Sequence, residues 1–167
     1  PRQFKLNSLI VKEDFFMNCG CSNHQFIDIV GLCDLDSIDF SQYPYWTQIS
    51  IPESLLIPEL KPDLEQINSL SVGVEIFRSK VIVTPTSTGD NFEGKRLTGR
   101  KLIIEGALFQ TITYTALVEE QSIHTAHFMV PFSAYIVIPV QIFIPGVPDP
   151  VDPLQLNFQV NACVEDV

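Results

Sequence analysis

Alternation of apolar and polar side chains is the strongest pattern in the chain, and it is clearest near the end. From Leu154 to Val164 the even positions are apolar, and the odd positions carry Gln, Asn or Cys. Successive side chains of a β-strand point to opposite faces of a sheet, so residues 154–164 are predicted to form a strand with one face in the core. Cys163 falls on the polar face, and we expect its thiol to point away from the core.

Six further segments predict strands, because they are rich in apolar and β-branched residues and are bounded by turn residues. Within 71–84 the alternation changes phase after Ile76, which predicts a β-bulge near 78–80. Helix signals are weak: one short helical turn is predicted at 62–67, where Pro62 suits the first position. The six predicted strands are 25–30, 45–51, 71–84, 101–116, 122–131 and 134–144.

These strands, separated by proline-rich turns, predict an all-β fold, namely an antiparallel β-sandwich or jelly-roll-like domain with an N-terminal extended arm. We place the sandwich at 41–167, and the arm with the first strand or strands at 1–40. Residues 1–40 hold three of the four cysteines and show no long alternation. Two interpretations of the arm stay open: it packs on its own domain, or it pairs with the sheet edge of a neighbouring subunit.

The acidic composition excludes several classes of partner. The 167 residues include 20 Asp and Glu against 10 Lys and Arg, a net charge of −10. A protein that binds nucleic acid needs cations to neutralise phosphates, so we expect no nucleic-acid partner. Anionic membrane surfaces are disfavoured for the same reason. No apolar run reaches the roughly 18 residues that a membrane-spanning helix needs, so we expect no membrane partner.

The cysteines are the residues most suggestive of chemistry. Cys19 and Cys21 are two residues apart, so their thiols share one face of an extended segment and are poorly placed to bond to each other. We predict disulfide cross-links among Cys19, Cys21, Cys33 and Cys163, at least one of them between subunits. Two alternatives stay open: reduced thiols, or a zinc site formed by Cys19, Cys21, His24 and Cys33, whose spacing is not a common zinc signature.

No pattern of catalytic residues stands out. The chain lacks the G-x-S-x-G and H-E-x-x-H motifs, and its glycines match no phosphate-binding loop. His124 and His127 would lie on opposite faces of a strand, and the nearness of Ser122 to His124 in sequence does not make a catalytic triad. We therefore expect neither enzymatic activity nor a cofactor.

Three blocks of residues closely resemble the SPOCS domain of spore-coat and spore-envelope proteins from anaerobic endospore-forming bacteria. The blocks are IPE, IP and KPDLEQIN within 51–68, LTGRKLIIEG at 97–106, and QSIHTAHFMVPF at 121–132. The resemblance continues loosely to CVED at 163–166. It implies an all-β domain with a role in assembly or coat morphogenesis, and it supplies no catalytic residues. Some members of the family carry a LysM cell-wall-binding module, which these 167 residues lack.

Strand pattern, cysteines and resemblance together suggest a structural, self-assembling subunit of a spore coat, exosporium or spore-associated extracellular filament. Strand addition and intersubunit disulfides would join the subunits at the spore surface or outside the cell. The expected partners are copies of the chain itself and other spore-coat proteins. The alternative is a non-polymerising binding module for a coat partner protein or a cell-wall glycan, which would use the aromatic rings of Tyr43, Tyr45 and Trp46.

Overall fold

Strands dominate the part of the chain that the computed structural model describes, which is residues 3–12, 27–91 and 95–167. The only helical elements in these ranges are three short 3₁₀ turns, at Leu35–Ser37, Phe40–Gln42 and Pro153–Gln155. No helix in the described residues is long and apolar enough to cross a membrane. The prediction of an all-β fold is therefore confirmed. The strands are β1 (Gln3–Lys12), β2 (Asp28–Val30), β3 (Thr47–Ser50), β4 (Leu64–Thr86), β5 (Thr98–Ala116), β6 (Ile123–Ile138) and β7 (Asn157–Asp166).

The described strands form two sheets with the orders β3-β1-β7 and β2-β4-β5-β6. The three long strands β4, β5 and β6 pair antiparallel, as predicted. The pairs β1–β3, β1–β7 and β2–β4 are parallel, which the prediction of an antiparallel domain missed. Alternation within a strand does not determine the direction of its neighbour, and parallel neighbours need long connections rather than tight turns.

One hydrophobic core joins the two sheets. Even-numbered residues of β5 point into it, and Leu102, Ile104 and Leu108 are almost completely buried. β7 covers them from the other sheet with Val164, which is 2% exposed. Tyr114 is fully buried, and its hydroxyl donates to the carbonyl oxygen of Pro62 at 3.0 Å, so its polar atom is satisfied inside the core. Together these contacts give the sandwich one core.

The predicted bulge in β4 is confirmed. The register of β4 against β5 shifts between Ile76 and Arg78, which leaves Phe77 as the extra residue. This shift moves the apolar positions from even to odd numbers and explains the change of phase in the sequence. Phe77 is 57% exposed on the outer face of its sheet.

Two local predictions are wrong, each because a contact that the alternation does not reveal controls the backbone. The expected helical turn at 62–67 is instead mostly strand, since β4 begins at Leu64 and pairs with Ala116. The last strand begins at Asn157, because Asp152 accepts from the backbone N–H of Leu154 at 3.0 Å and caps the 3₁₀ turn Pro153–Gln155. Leu154 is consequently 46% exposed rather than in the core.

The cap is itself held by an ion pair. Arg100 donates to Asp152 from Nε at 3.1 Å and from Nη2 at 2.7 Å. Hydrogen bonds from Arg100, followed by the backbone N–H of Leu154, lower the pKa of Asp152 from its usual value. The carboxylate therefore stays ionised to lower pH than a free Asp, and it fixes the loop before β7 to the start of β5.

The two strands predicted at 122–131 and 134–144 are one strand, β6, with Pro131 inside it. β6 is the last strand of its sheet, and Pro131 lies opposite Ala107 of β5. Proline is tolerated on an edge strand when its nitrogen faces away from the neighbour. Beyond β6, Ile142 makes only an isolated antiparallel bridge with Val151.

Candidate assembly site

Cys33 and Cys163 are joined by a disulfide within the chain. Their Cα atoms are 5.8 Å apart, although 130 positions separate them in the sequence. The backbone N–H of Cys33 also donates to the carbonyl oxygen of Val164 at 2.8 Å. A covalent bond and a backbone hydrogen bond thus hold the segment after β2 against β7, and they tie one sheet to the other.

Gly31 makes this crossing possible. Its φ is +102°, a conformation that side chains rarely adopt, and a Cβ atom placed on it would lie 1.9 Å from the carbonyl oxygen of Val72. Only glycine lets the chain leave β2, pass this close to β4 and deliver Cys33 to β7.

β1 occupies the centre of the other sheet. It pairs with β7 along its length, from Gln3 opposite Asn157 to Lys12 opposite Asp166. On its other side, residues 9–12 pair with β3. We call the space that β1 fills between β3 and β7 the strand slot. The 15 residues at 13–27 are all that connect the strand in this slot to β2.

The strand slot and the disulfide are neighbours. Ile10 of β1 lies opposite Gln48 of β3 on one side and opposite Cys163 of β7 on the other. The side chain of Gln48 also donates to the carboxylate of Glu165 on β7. The same stretch of β7 therefore forms the disulfide with Cys33 and pairs with the strand in the slot.

The structure brings together two of the four cysteines that the sequence singled out. Cys33 and Cys163 bond to each other, so neither sulfur is free in this structure for another subunit or for zinc. Cys19, Cys21 and His24 lie outside the described residues. Among the residues that are described, no three or more His, Cys, Asp or Glu side chains are grouped to hold a metal ion.

The three predicted aromatic contact residues do not share one surface. Trp46 is 54% exposed, whereas Tyr45 packs against the core, where burial raises the pKa of its hydroxyl. Tyr43 is half-buried and ends the 3₁₀ turn Phe40–Gln42. Phe40 was not among the predicted residues, although its ring meets that of Trp46 edge-on at 6.2 Å between centroids. Adjacent residues of an extended segment point to opposite sides. The sequence positions of Tyr45 and Trp46 therefore already indicate that their rings lie on different surfaces.

The histidines lie on opposite faces of β6, as its parity predicts. The ring of His124 lies 5.9 Å from that of Tyr114, and His127 Nδ1 is 3.0 Å from the hydroxyl of Thr111. Ser122 Oγ lies 3.0 Å from His124 Nε2, but no carboxylate among the described residues hydrogen-bonds to His124.

Comparison with known proteins identifies the C-terminal two thirds of the chain. The family model described as SipL, SPOCS domain matches residues 63–167, which contain β4, β5, β6, β7 and Cys163. No curated protein and no solved structure matches the chain. The matched residues are more than half of the sequence, so the chain belongs to the SipL SPOCS domain family, and this membership indicates a spore-associated role.

Proposed function

We propose that the protein is a structural, self-assembling subunit of a spore coat, exosporium or spore-associated extracellular filament. The observation that carries this proposal is the strand slot. β1 is held between β3 and β7 by backbone pairing on both sides, and it comes from the N-terminal segment rather than from the family-matched domain. The same strand of another copy can occupy the slot with the same hydrogen bonds, which is the basis of strand exchange.

The connection to β1 is long enough for exchange between copies. Residues 13–27 number 15, and a fully extended chain spans at most about 3.3–3.6 Å per residue, roughly 50 Å in total. A domain of this length has a radius of gyration of about 15 Å, so the centres of two domains in contact are roughly 40 Å apart. The connector can span this distance. A backbone hydrogen bond adds a net of about 0.5–1.5 kcal/mol. Exchange replaces bonds within one chain by the same bonds between two copies, so it gains no hydrogen-bond energy. Separating the copies then requires breaking the pairing of a whole ten-residue strand.

The distribution of cysteines supports covalent joining. Cys33 and Cys163 are used inside the chain, whereas Cys19 and Cys21 belong to the segment that links β1 to the rest of the domain. Exchange of β1 would carry these two thiols to the neighbouring copy, where disulfides between subunits can form. Disulfides persist in oxidising surroundings, so this role fits the spore surface or the outside of the cell. The partners are other copies and other coat proteins, and the proposal includes neither enzymatic activity nor a cofactor.

Replacement of both Cys19 and Cys21 by Ala tests the covalent joining. The wild-type protein is expected to run as a ladder of high-mass species on a non-reducing gel and as filaments or sheets in electron micrographs. The Cys19→Ala/Cys21→Ala chain is expected to lose the ladder. Cys33→Ala/Cys163→Ala is the matched control. It should keep the ladder, because Cys33 and Cys163 bond to each other within one chain and not to another subunit. A wild-type protein that stays monomeric at high concentration without reductant would contradict the proposal.

A second function, as a non-polymerising binding module for a glycan or a coat partner, is favoured by the exposed pair of Phe40 and Trp46. Stacking on such rings contributes about 0.5–1.5 kcal/mol. Trp46→Ala is therefore expected to weaken binding to purified spore peptidoglycan or coat extract by up to about tenfold, measured by pull-down titration. Phe143→Ala is a control, because Phe143 is 78% exposed and belongs to none of the ring pairs found among the described residues. Saturable binding that both variants retain would count against the aromatic pair.

A further inference from the structure

β6 presents a long open edge. It runs for 16 residues at the end of its sheet, and no described strand pairs with the side that faces away from β5. Ile123–Ile138 contains no Asp, Glu, Lys or Arg, although the chain as a whole carries a net charge of −10. Proteins usually protect a long edge with charges, because an exposed apolar edge pairs with other strands.

The hydrogen-bond register shows which backbone groups face outward. The N–H of Ala116 donates to the carbonyl oxygen of Ser122 at 2.9 Å, at the turn that leads from β5 to β6. In an antiparallel pair, hydrogen-bonded and non-bonded positions alternate. Even residues of β6 therefore bond to β5, and odd residues turn their N–H and C=O groups toward the open edge. Pro131 is odd, so its missing N–H costs no bond with β5 but divides the open edge into two halves.

The first half of this edge adjoins exposed apolar side chains. Ile123 is 70% exposed and Met129 is 61% exposed. Met129 lies opposite Phe109 of β5, whose ring meets that of Phe77 edge-on at 6.4 Å. In the second half, by contrast, Tyr135 already contacts the ammonium group of Lys101 at 4.0 Å.

We propose that residues 123–129 of β6 pair antiparallel with the same residues of a second copy, around a two-fold axis at Ala126. A strand that pairs antiparallel with itself offers each outward N–H a matching C=O by symmetry. Neither strand carries a charged side chain, so the pairing brings no like charges together. Other surfaces of two chains that each carry a net charge of −10 would repel each other. The interface extends the sheet β2-β4-β5-β6 across the two copies. It also covers the exposed side chain of Met129 with residues of the second copy.

Other described edges are less suited to a second copy. β2 has only three residues, β3 has only four, and β7 is bonded to Cys33 near its end. The β6 interface also lies on a different sheet from the strand slot. It therefore does not depend on exchange of β1, and in an assembly it would form a lateral contact.

Thr125→Pro tests the pairing in the full chain. Thr125 is odd, so proline removes an outward N–H and leaves the bonds with β5 intact. In the wild type, hydrogen exchange of residues 122–130 is expected to slow at least tenfold between dilute and concentrated protein. In Thr125→Pro this dependence should disappear. Ser133→Pro is the matched control in the second half of the edge, and it should behave as the wild type.

Met129→Lys provides a second variant that keeps every backbone donor and adds a charge to each strand of the pair. It should also abolish the dependence on concentration. Exchange that does not depend on concentration in the wild type, or a dependence that survives both Thr125→Pro and Met129→Lys, overturns the proposal. The proposal is also overturned if the slowing of hydrogen exchange at high concentration disappears in an Ile10→Pro chain. In that case β1 of another copy, and not β6, would be the strand that pairs with this edge. Thr125→Pro should leave the non-reducing ladder of Cys19 and Cys21 unchanged, so the two proposals fail independently.

Discussion

The Cys33→Ala/Cys163→Ala chain is expected to lose about 3–5 kcal/mol of folding free energy, because the disulfide closes a very long loop. Its cysteines are 130 positions apart, so breaking the bond restores much conformational freedom to the unfolded chain. For a domain of this length, each 1 kcal/mol shifts the melting temperature by about 2–4 °C. The melting temperature should therefore fall by about 6–20 °C, as measured by calorimetry at matched pH.

Cys19→Ala/Cys21→Ala is the control for this experiment, because it keeps the bond between Cys33 and Cys163. Its melting temperature should stay near that of the wild type in a monomeric fraction, and it should fall when reductant is added. In a monomeric fraction, the melting temperature of the variant that lacks Cys33 and Cys163 should not change when reductant is added. Equal melting temperatures for the two double variants would show that the bond contributes nothing to the fold.

Ile10→Pro is expected to abolish filament growth by strand exchange. Ile10 pairs on both sides of β1, and proline removes a backbone donor wherever it sits in a central strand. Chains with this substitution can accept a strand but cannot donate one. Mixed in equal amounts with wild-type chains, they should end growing filaments and shorten them strongly in electron micrographs. The lost pairing should also cost the variant about 1–3 kcal/mol in stability.

Gln3→Pro is the matched control, because proline is tolerated at the first residue of a strand. It should leave filament length unchanged. A synthetic Gln3–Lys12 peptide at about 100 times its Kd should restore about 2.7 kcal/mol to the Ile10→Pro chain. Filaments of normal length in the mixture of Ile10→Pro and wild type would contradict strand exchange.

The sequence predicted those parts of the fold that depend on neighbouring residues. Alternation is local, so it located the long strands and the bulge beside Phe77. It failed at Leu154, where Asp152, itself held by the distant Arg100, caps a 3₁₀ turn across an alternating stretch. It also divided β6 at Pro131, because the tolerance of proline depends on which strand forms the sheet edge.

The candidate site was less predictable, because it depends on contacts between distant residues. Four cysteines allow three pairings within one chain, and nothing local distinguishes Cys33 with Cys163 from the others. Gly31 gave no sequence signal of its own, since both its positive φ and its close approach to Val72 are properties of the folded chain. Parallel pairing of β1 with β7 is likewise a property of the folded sheet.

The parallel arrangement of β1 with β7 and β3 has a mechanical consequence. A pull applied at Lys12 along the axis of β1 loads its bonds to β7 and β3 at the same time rather than opening them one after another. Under such tension the hydrogen bonds of the strand are loaded in shear and must break together. In a hairpin that is pulled from its open end, they break one at a time.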